Sequence, residues 1–248
     1  MIPNSYRSAL KYLFFAGLII GLNTACSKDD KGEDPIVYDN DPSATDEAVF
    51  NKIITVKNLG KEVGAAPESS LFFSLENNKV IPLAQQHTNR WDISIGAVYD
   101  SFFGGNNGQN KENLGFGGSG KGGVICLAKP FNEVIDIPKD SEFNTGSHIV
   151  GTDDSGDLGQ GLGYYIYDFN GTIKGDGSEE KKHVAYALPE SRTIIIRTAK
   201  GHYAKIEVQS LYKDLLNPAD WKKSSPHTFL TFRYTIAKAG STKFTVKN

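Results

Sequence analysis

The chain has 248 residues, with 27 Lys+Arg against 29 Asp+Glu, 26 Gly, 2 Cys and 1 Met. That length suits one or two domains with a real hydrophobic core, and a net charge of −2 gives no electrostatic reason to expect a nucleic-acid partner. The 39% hydrophobic content includes 11% aromatic residues, and the supply of Val, Ile, Tyr, Phe and Thr favours strands over helices. Charge is spread unevenly. Residues 1–25 carry Arg7 and Lys11 and no acid, residues 26–47 carry eight acids against two lysines, and the remainder is nearly balanced.

Arg7 and Lys11 precede the apolar run Tyr12 to Leu22, 11 residues long. Crossing a bilayer takes about 20 residues, so this run has the size of a signal-peptide core. The following Leu22-Asn23-Thr24-Ala25-Cys26 resembles a bacterial lipoprotein cleavage box. The resemblance implies removal of residues 1–25 and lipidation of Cys26, with membrane contact through the lipid only. Ser27-Lys28-Asp29-Asp30 is similar to the signal that sends lipoproteins of the Bacteroidetes to the outer face of the outer membrane. Residues 26–48, with Pro35, Pro42 and many like charges, read as an acidic, solvated tether. Once Cys26 carries lipid, Cys126 has no intrachain disulfide partner. Its setting, Gly123-Val124-Ile125-Cys126-Leu127-Ala128, predicts a buried thiol.

Strand signals run from Val49 to the C-terminus, and residues 49–248 read as one all-β domain. Ser70 to Leu75 leads through the turn-like Glu76-Asn77-Asn78-Lys79 into Val80 to Leu83. Trp91 to Ala97 alternates apolar with small or polar residues, as a half-buried strand does. Tyr164 to Phe169 runs into the turn Asn170-Gly171, and Thr193 to Thr198 and Tyr203 to Val208 flank Lys200-Gly201 as a hairpin. Phe229 to Ile236 places Leu230, Phe232, Tyr234 and Ile236 on one face, and Lys243 to Val246 reads as a last edge strand. Asn217-Pro218 predicts one short helical turn. The pattern predicts an antiparallel sandwich or open-barrel-like domain with two long Gly-rich loops, Gly104 to Gly123 and Asn144 to Gly163.

Most motifs that resemble chemistry fail on context. Gly115-Phe116-Gly117-Gly118-Ser119-Gly120 fits G-x-G-x-x-G, yet it leads into strand-like Val124 to Leu127 instead of a helix. A P-loop fails because Gly122 stands where a Ser or Thr binds Mg²⁺, so the segment reads as a flexible glycine loop. Asp153-Asp154-Ser155-Gly156-Asp157 lacks EF-hand spacing and reads as an acidic surface turn. His87, His148, His183, His202 and His227 are scattered singly, with no H-E-x-x-H and no C-x-x-C. No Ser/His/Asp or Cys/His arrangement emerges, so the sequence supports no enzyme.

The block Thr193 to Tyr212, with Ala199-Lys200-Gly201-His202 at its turn, resembles the signature hairpin of HmuY-type lipoproteins of the Bacteroidetes. Phe229 to Tyr234 is similar to that family's closing strand, and Trp91 to Ile95 with the Asn/Gly-rich loop and Gly122-Gly123 to its central segment. The likeness covers residues 70–236. It implies an all-β fold that captures haem, or a related tetrapyrrole, by axial coordination and hands it to a TonB-dependent outer-membrane receptor. Haem iron takes His or Met ligands in this family. Met1 leaves with the leader, so His148, in Thr145-Gly146-Ser147-His148-Ile149, falls in the segment of the family's second ligand. No histidine lies between Trp91 and His148, which leaves His87 and Tyr99 as substitutes for the first. Phe102 and Phe103 are candidates for a macrocycle wall or for the core. His183, His202 and His227 read as structural positions. The alternatives are an adhesion or glycan-binding sandwich on the cell surface that has lost haem.

Overall fold

A computed structural model describes residues 49–61 and 69–246. The expected leader, Cys26 with its expected lipid, and the expected tether lie outside the described residues. Among those described, eleven strands form antiparallel sheets: β1 Ile54–Leu59, β2 Leu71–Ser74, β3 Lys79–Ile81, β4 Ile93–Gly96, β5 Phe102–Gly105, β6 Gly123–Leu127, β7 Tyr165–Asp168, β8 Val184–Ala187, β9 Thr193–Arg197, β10 Tyr203–Tyr212 and β11 His227–Ala237. One sheet runs β1-β11-β10-β9-β6, the second β3-β2-β4-β5, and β7 pairs with β8. The fold is an all-β sandwich with no closed barrel. Helix is confined to short 3₁₀ turns, one of them Pro218–Asp220, where Asn217 caps by accepting from the Ala219 amide at 3.2 Å.

The strand pattern explains the core. Val124, Ile194, Ile196, Ala204, Ile206, Phe232, Tyr234 and Ile236 point inward from the five-stranded sheet, against Leu71, Phe73, Ile93, Ile95 and Phe103 of the other. Phe102 and Phe103 thus belong to β5, and both are buried. The outer face of the large sheet is covered as well. Val134, Phe143 and Phe244 pack there on Ile195, Ile125 and Leu127. Buried Lys205 lies beneath this layer, its Nζ donating to the Phe131 and Val134 carbonyls at 2.8 Å and lying over the Phe131 ring. Lys243 to Val246 is no strand. Only a bridge between Asp136 and Lys243 forms, because this segment lies over the sheet face instead of pairing along its edge.

Two loops also differ from expectation. Gly104 to Gly123 is pinned by three buried asparagines. Asn106 Nδ2 donates to the Thr88 and Trp91 carbonyls, Asn107 Nδ2 to Gly122, and Asn113 Nδ2 to Gly105 and Thr145. At Gly105 a Cβ would lie 2.6 Å from the Gly123 nitrogen, so the glycines permit close backbone approach here. In the second loop Asp153 is no surface acid. It is 2% exposed, bonds Arg192 at 2.7 Å and accepts from Ser155 and from Gly163, which lowers its pKa to about 2 against its burial. Cys126 is buried, and its thiol is pushed up to about 12 by desolvation.

The segments that carry the family resemblance meet at one buried polar node. Asp92 accepts from the Leu75 amide at 2.7 Å and from the Ala199 amide at 3.1 Å, joining the small sheet to the hairpin turn. Lys200 Nζ reaches Glu76 at 3.1 Å, with both side chains almost fully buried. His202 Nδ1 accepts from the Ala239 amide at 2.9 Å, so its Nε2 carries the proton of the neutral ring and faces Glu76 Oε1 at 3.7 Å. Burial, and then the charge of Glu76, raise the Asp92 pKa to about 7, while desolvation lowers that of His202.

Candidate functional site

The three ligand candidates named from sequence do not share one cavity. His148 is half-buried, its Nε2 lies 2.9 Å from Ser70 Oγ, and desolvation lowers its pKa. Its backbone is left-handed at φ 53°, and Gly96 leaves room for the imidazole, since a Cβ there would lie 2.8 Å from Nε2. His87 sits at the glycine loop, where Nδ1 donates to the Phe116 carbonyl at 2.8 Å. Tyr99 alone of the three lines a cavity of about 310 Å³. That volume lies at the lower end of the range for small-molecule sites.

Tyr99, Tyr165, Tyr167 and Tyr212 wall this cavity, with His183, His227 and Lys222-Lys223 completing it. The side chains converge from the β7–β8 hairpin, the end of β10, the start of β11 and the turn after β4. Period-2 alternation puts Tyr165 and Tyr167 on the same face of β7. No local pattern signals that His183 and His227 meet there, because they are 44 positions apart and flank different strands.

Hydroxyl chemistry distinguishes the four tyrosines. Ser101 Oγ donates its proton to the Val98 carbonyl at 2.8 Å, so Tyr165 must donate to Ser101 Oγ at 2.9 Å. Tyr212 accepts from the Ala185 amide at 2.9 Å. Burial pushes both of these phenols up to about 12. Tyr167 Oη lies 2.8 Å from His183 Nδ1 and 3.3 Å from Tyr99 Oη, and burial together with the Tyr99 contact pushes it higher still. His227 Nδ1 lies 3.2 Å from the Ser225 carbonyl, which can only accept. Its Nδ1 is therefore the donor, and Nε2 of the neutral ring keeps the lone pair.

Backbone strain gathers around the same cavity. Tyr99, His183 and Thr228 have φ of 55°, 58° and 67°, and a β-branched residue such as Thr rarely adopts that conformation. Ala97, at φ 58° and ψ −147°, occupies a region used almost solely by glycine. Such residues cost on the order of 1–3 kcal/mol each and cluster at ligand clamps.

The cavity fits a tetrapyrrole in chemical type. Tyrosine rings offer flat, largely apolar walls, and Lys222 and Lys223 offer cations for carboxylates, in exchange for their surface pairs with Glu180 and Glu179. Among the described residues no three of His, Cys, Asp and Glu come together as a metal-holding group. A porphyrin needs no such group, since the macrocycle supplies four nitrogens and the protein only one or two ligands. Sugar stacking fits less well. Trp91 and Trp221 are both buried, and the Tyr99 and Tyr167 rings are tilted by 31° to each other instead of forming a flat platform.

No protein-family model matches the chain, and no curated protein matches it. Among solved structures it is similar to a protein of Bacteroides vulgatus provisionally assigned as HmuY-like and haem-binding, at 13% identity and a TM-score of 0.39. That match covers 77% of this chain and 93% of the other. A provisionally assigned lipoprotein of Bacteroides fragilis is similar at 13% identity and a TM-score of 0.32, over 76% of this chain and 92% of the other. At this level of likeness neither neighbour fixes the role of any residue here.

Proposed function

We propose that the protein is a lipid-anchored surface protein that captures haem, or a related tetrapyrrole, in the tyrosine cavity and passes it to an outer-membrane receptor, without catalysis. In this reading residues 1–25 are the leader, Cys26 bears the lipid, and residues 26–48 tether the domain formed by residues 49–248. Fully extended, that tether reaches at most about 75–80 Å, enough to present the domain well clear of the lipid surface. The observation that carries the reading is the cavity itself: four tyrosine walls, a histidine whose Nε2 keeps its lone pair, and two lysines at one site. The tyrosines would clamp the macrocycle, Lys222 and Lys223 would neutralise its carboxylates, and His227 Nε2 would ligate. The iron of a bound haem supplies the acceptor for that lone pair.

A haemin titration of the purified protein, ferric and ferrous, read in the Soret region, tests this. A saturable, red-shifted band is expected, weakened by His227→Ala and unchanged by His148→Ala. Loss of the band with His148→Ala alone would move the site to the Ser70 side of the molecule. Absence of a saturable band in both redox states defeats haem capture and leaves the adhesion reading.

A further inference from the structure

We propose that Asn170 is a site of spontaneous covalent modification beside the tyrosine cavity. The main-chain nitrogen of Gly171 displaces ammonia from the Asn170 side chain, and water then leaves aspartate or isoaspartate at position 170. The proposal is independent of what the cavity binds.

The chain contains two Asn-Gly steps, Asn107-Gly108 and Asn170-Gly171. Asparagine is a thermolabile side chain, and a following glycine has no Cβ to shield the attacking nitrogen. By sequence alone the two steps are equally reactive, but the fold holds them in opposite ways. Asn107 is 8% exposed, its Nδ2 donates to the Gly122 carbonyl at 2.9 Å, and its Oδ1 accepts from the Gln109 and Asn110 amides at 3.0 Å. The Gly108 amide donates to the Gly120 carbonyl at 2.9 Å. Ring closure at this step requires the loop to open first.

Asn170 is exposed, and among the described residues neither its side chain nor the Gly171 amide has a hydrogen-bond partner. The step links two pinned stretches. On one side the Phe169 amide donates to Asp157 Oδ2 at 2.9 Å, and the Phe169 carbonyl accepts from the His183 amide at 3.2 Å. On the other, the amides of Thr172, Ile173, Lys174 and Gly175 all donate to the Asp168 carboxylate at 2.9–3.0 Å. Ring closure between them breaks no hydrogen bond at either reacting group. Gly171 lies at φ 72°, and a Cβ there would sit 2.8 Å from the Lys181 carbonyl carbon. The turn therefore cannot exchange this glycine for a residue that would shield its nitrogen.

Water is the only co-reactant. The Gly171 nitrogen gives its proton to solvent and bonds to Asn170 Cγ. The Cγ–Nδ2 bond breaks, and ammonia leaves after taking a proton from solvent, so a succinimide ring remains. Water opens that ring at Cγ to give aspartate, or at the main-chain carbonyl to give isoaspartate, whose backbone runs through Cβ and Cγ. Both products add a negative charge next to Phe169, and isoaspartate also lengthens a main chain that is pinned on both sides. The displacement falls on Phe169, whose ring centroid lies 4.6 Å from that of His183 and 6.5 Å from that of Tyr167, two residues of the cavity wall.

The purified protein, incubated at body temperature and mildly alkaline pH and followed by peptide mass spectrometry, tests this. The peptide holding position 170 should gain the mass difference between NH₂ and OH. It should split into two products, one of them a substrate for protein-isoaspartate methyltransferase. This should run at least about tenfold faster than at position 107, which waits on local opening. In urea the two positions should react at similar rates, and Asn170→Gln should stay unmodified. The isoaspartate form, separated by anion exchange, should show shifted ¹⁵N resonances of the His183 imidazole. If position 170 stays intact in the folded protein while the unfolded chain reacts, the site is overturned. Equal rates at 107 and 170 in the folded protein overturn the protection by the pinned loop. An isoaspartate form with unchanged His183 resonances overturns the link to the cavity wall.

Discussion

Two polar regions of this molecule both hold lysine and histidine and set them in opposite surroundings. At the Glu76–Asp92–Lys200–His202 node, charges are sealed between sheet and hairpin, and each group faces a backbone amide or an opposite charge. At the tyrosine cavity the rings are partly open, two histidines are exposed, and the backbone at Tyr99, His183 and Thr228 is left-handed. The node has regular strands around it and ties the frame together. The cavity instead has strained backbone at its rim. The family-like segments, Trp91-Asp92 and Ala199 to His202, converge on the node. In the proposed reading, these segments serve the frame and the chemistry sits at the cavity.

The sharpest way to break the comparison is Lys200→Met. It leaves the Glu76 carboxylate buried without its ammonium, and removing one member of such a pair costs about 3–5 kcal/mol. Denaturant midpoints should fall accordingly, while haemin affinity of the folded fraction stays as in the parent. If binding fell and stability did not, the node would belong to the site.

Next in size is the pH dependence carried by Asp92. Its folded pKa of about 7 lies above the ordinary value near 3.8, so the folded state holds a proton that the unfolded state has lost between those values. Its contribution to stability is therefore complete below about pH 4 and is lost as pH rises to about 7. Chemical denaturation across that range should show Asp92→Asn with a flatter profile than the parent. The variant should also be weaker at low pH, because one backbone amide then faces an NH₂ group. An unchanged slope would place the proton elsewhere.

The smallest effect is at the cavity turn. Ala97→Gly relieves a glycine-type conformation and should stabilise the protein by about 1 kcal/mol, while loosening the Tyr99 turn and weakening haemin binding several-fold. Calorimetry and the Soret titration read the two quantities separately. A variant that is more stable and binds equally well would show that the strained turn does not serve the cavity.

Much of the frame was legible in the sequence. Alternation at Leu230, Phe232, Tyr234 and Ile236 announced a strand with one buried face, and Lys200-Gly201 announced the β9–β10 hairpin, because period-2 burial and turn chemistry are local. The opposite face of that sheet was not legible. Thr231, Thr235 and Lys205 look like solvent positions until residues from 131 to 144 and Phe244 fold over the sheet. The glycine loop likewise looks flexible until Asn106, Asn107 and Asn113 find carbonyls along the chain, some of them many positions away.

For the site, the chain by itself determined only which ligand chemistries were on offer: no methionine beyond Met1, two cysteines and five isolated histidines. It could also mark Tyr99 as standing where a histidine was missing. Which of these groups meet was decided by tertiary structure. His183 and His227 reach one cavity because β8 and β11 begin beside it, and Tyr99 joins them because Ser101 and Asp100 are held by Tyr164, Tyr165 and Lys61. Local patterns record what a strand does with its own two faces. A binding site made from the ends of different strands depends on strand order and register, which are settled by packing over the whole sheet.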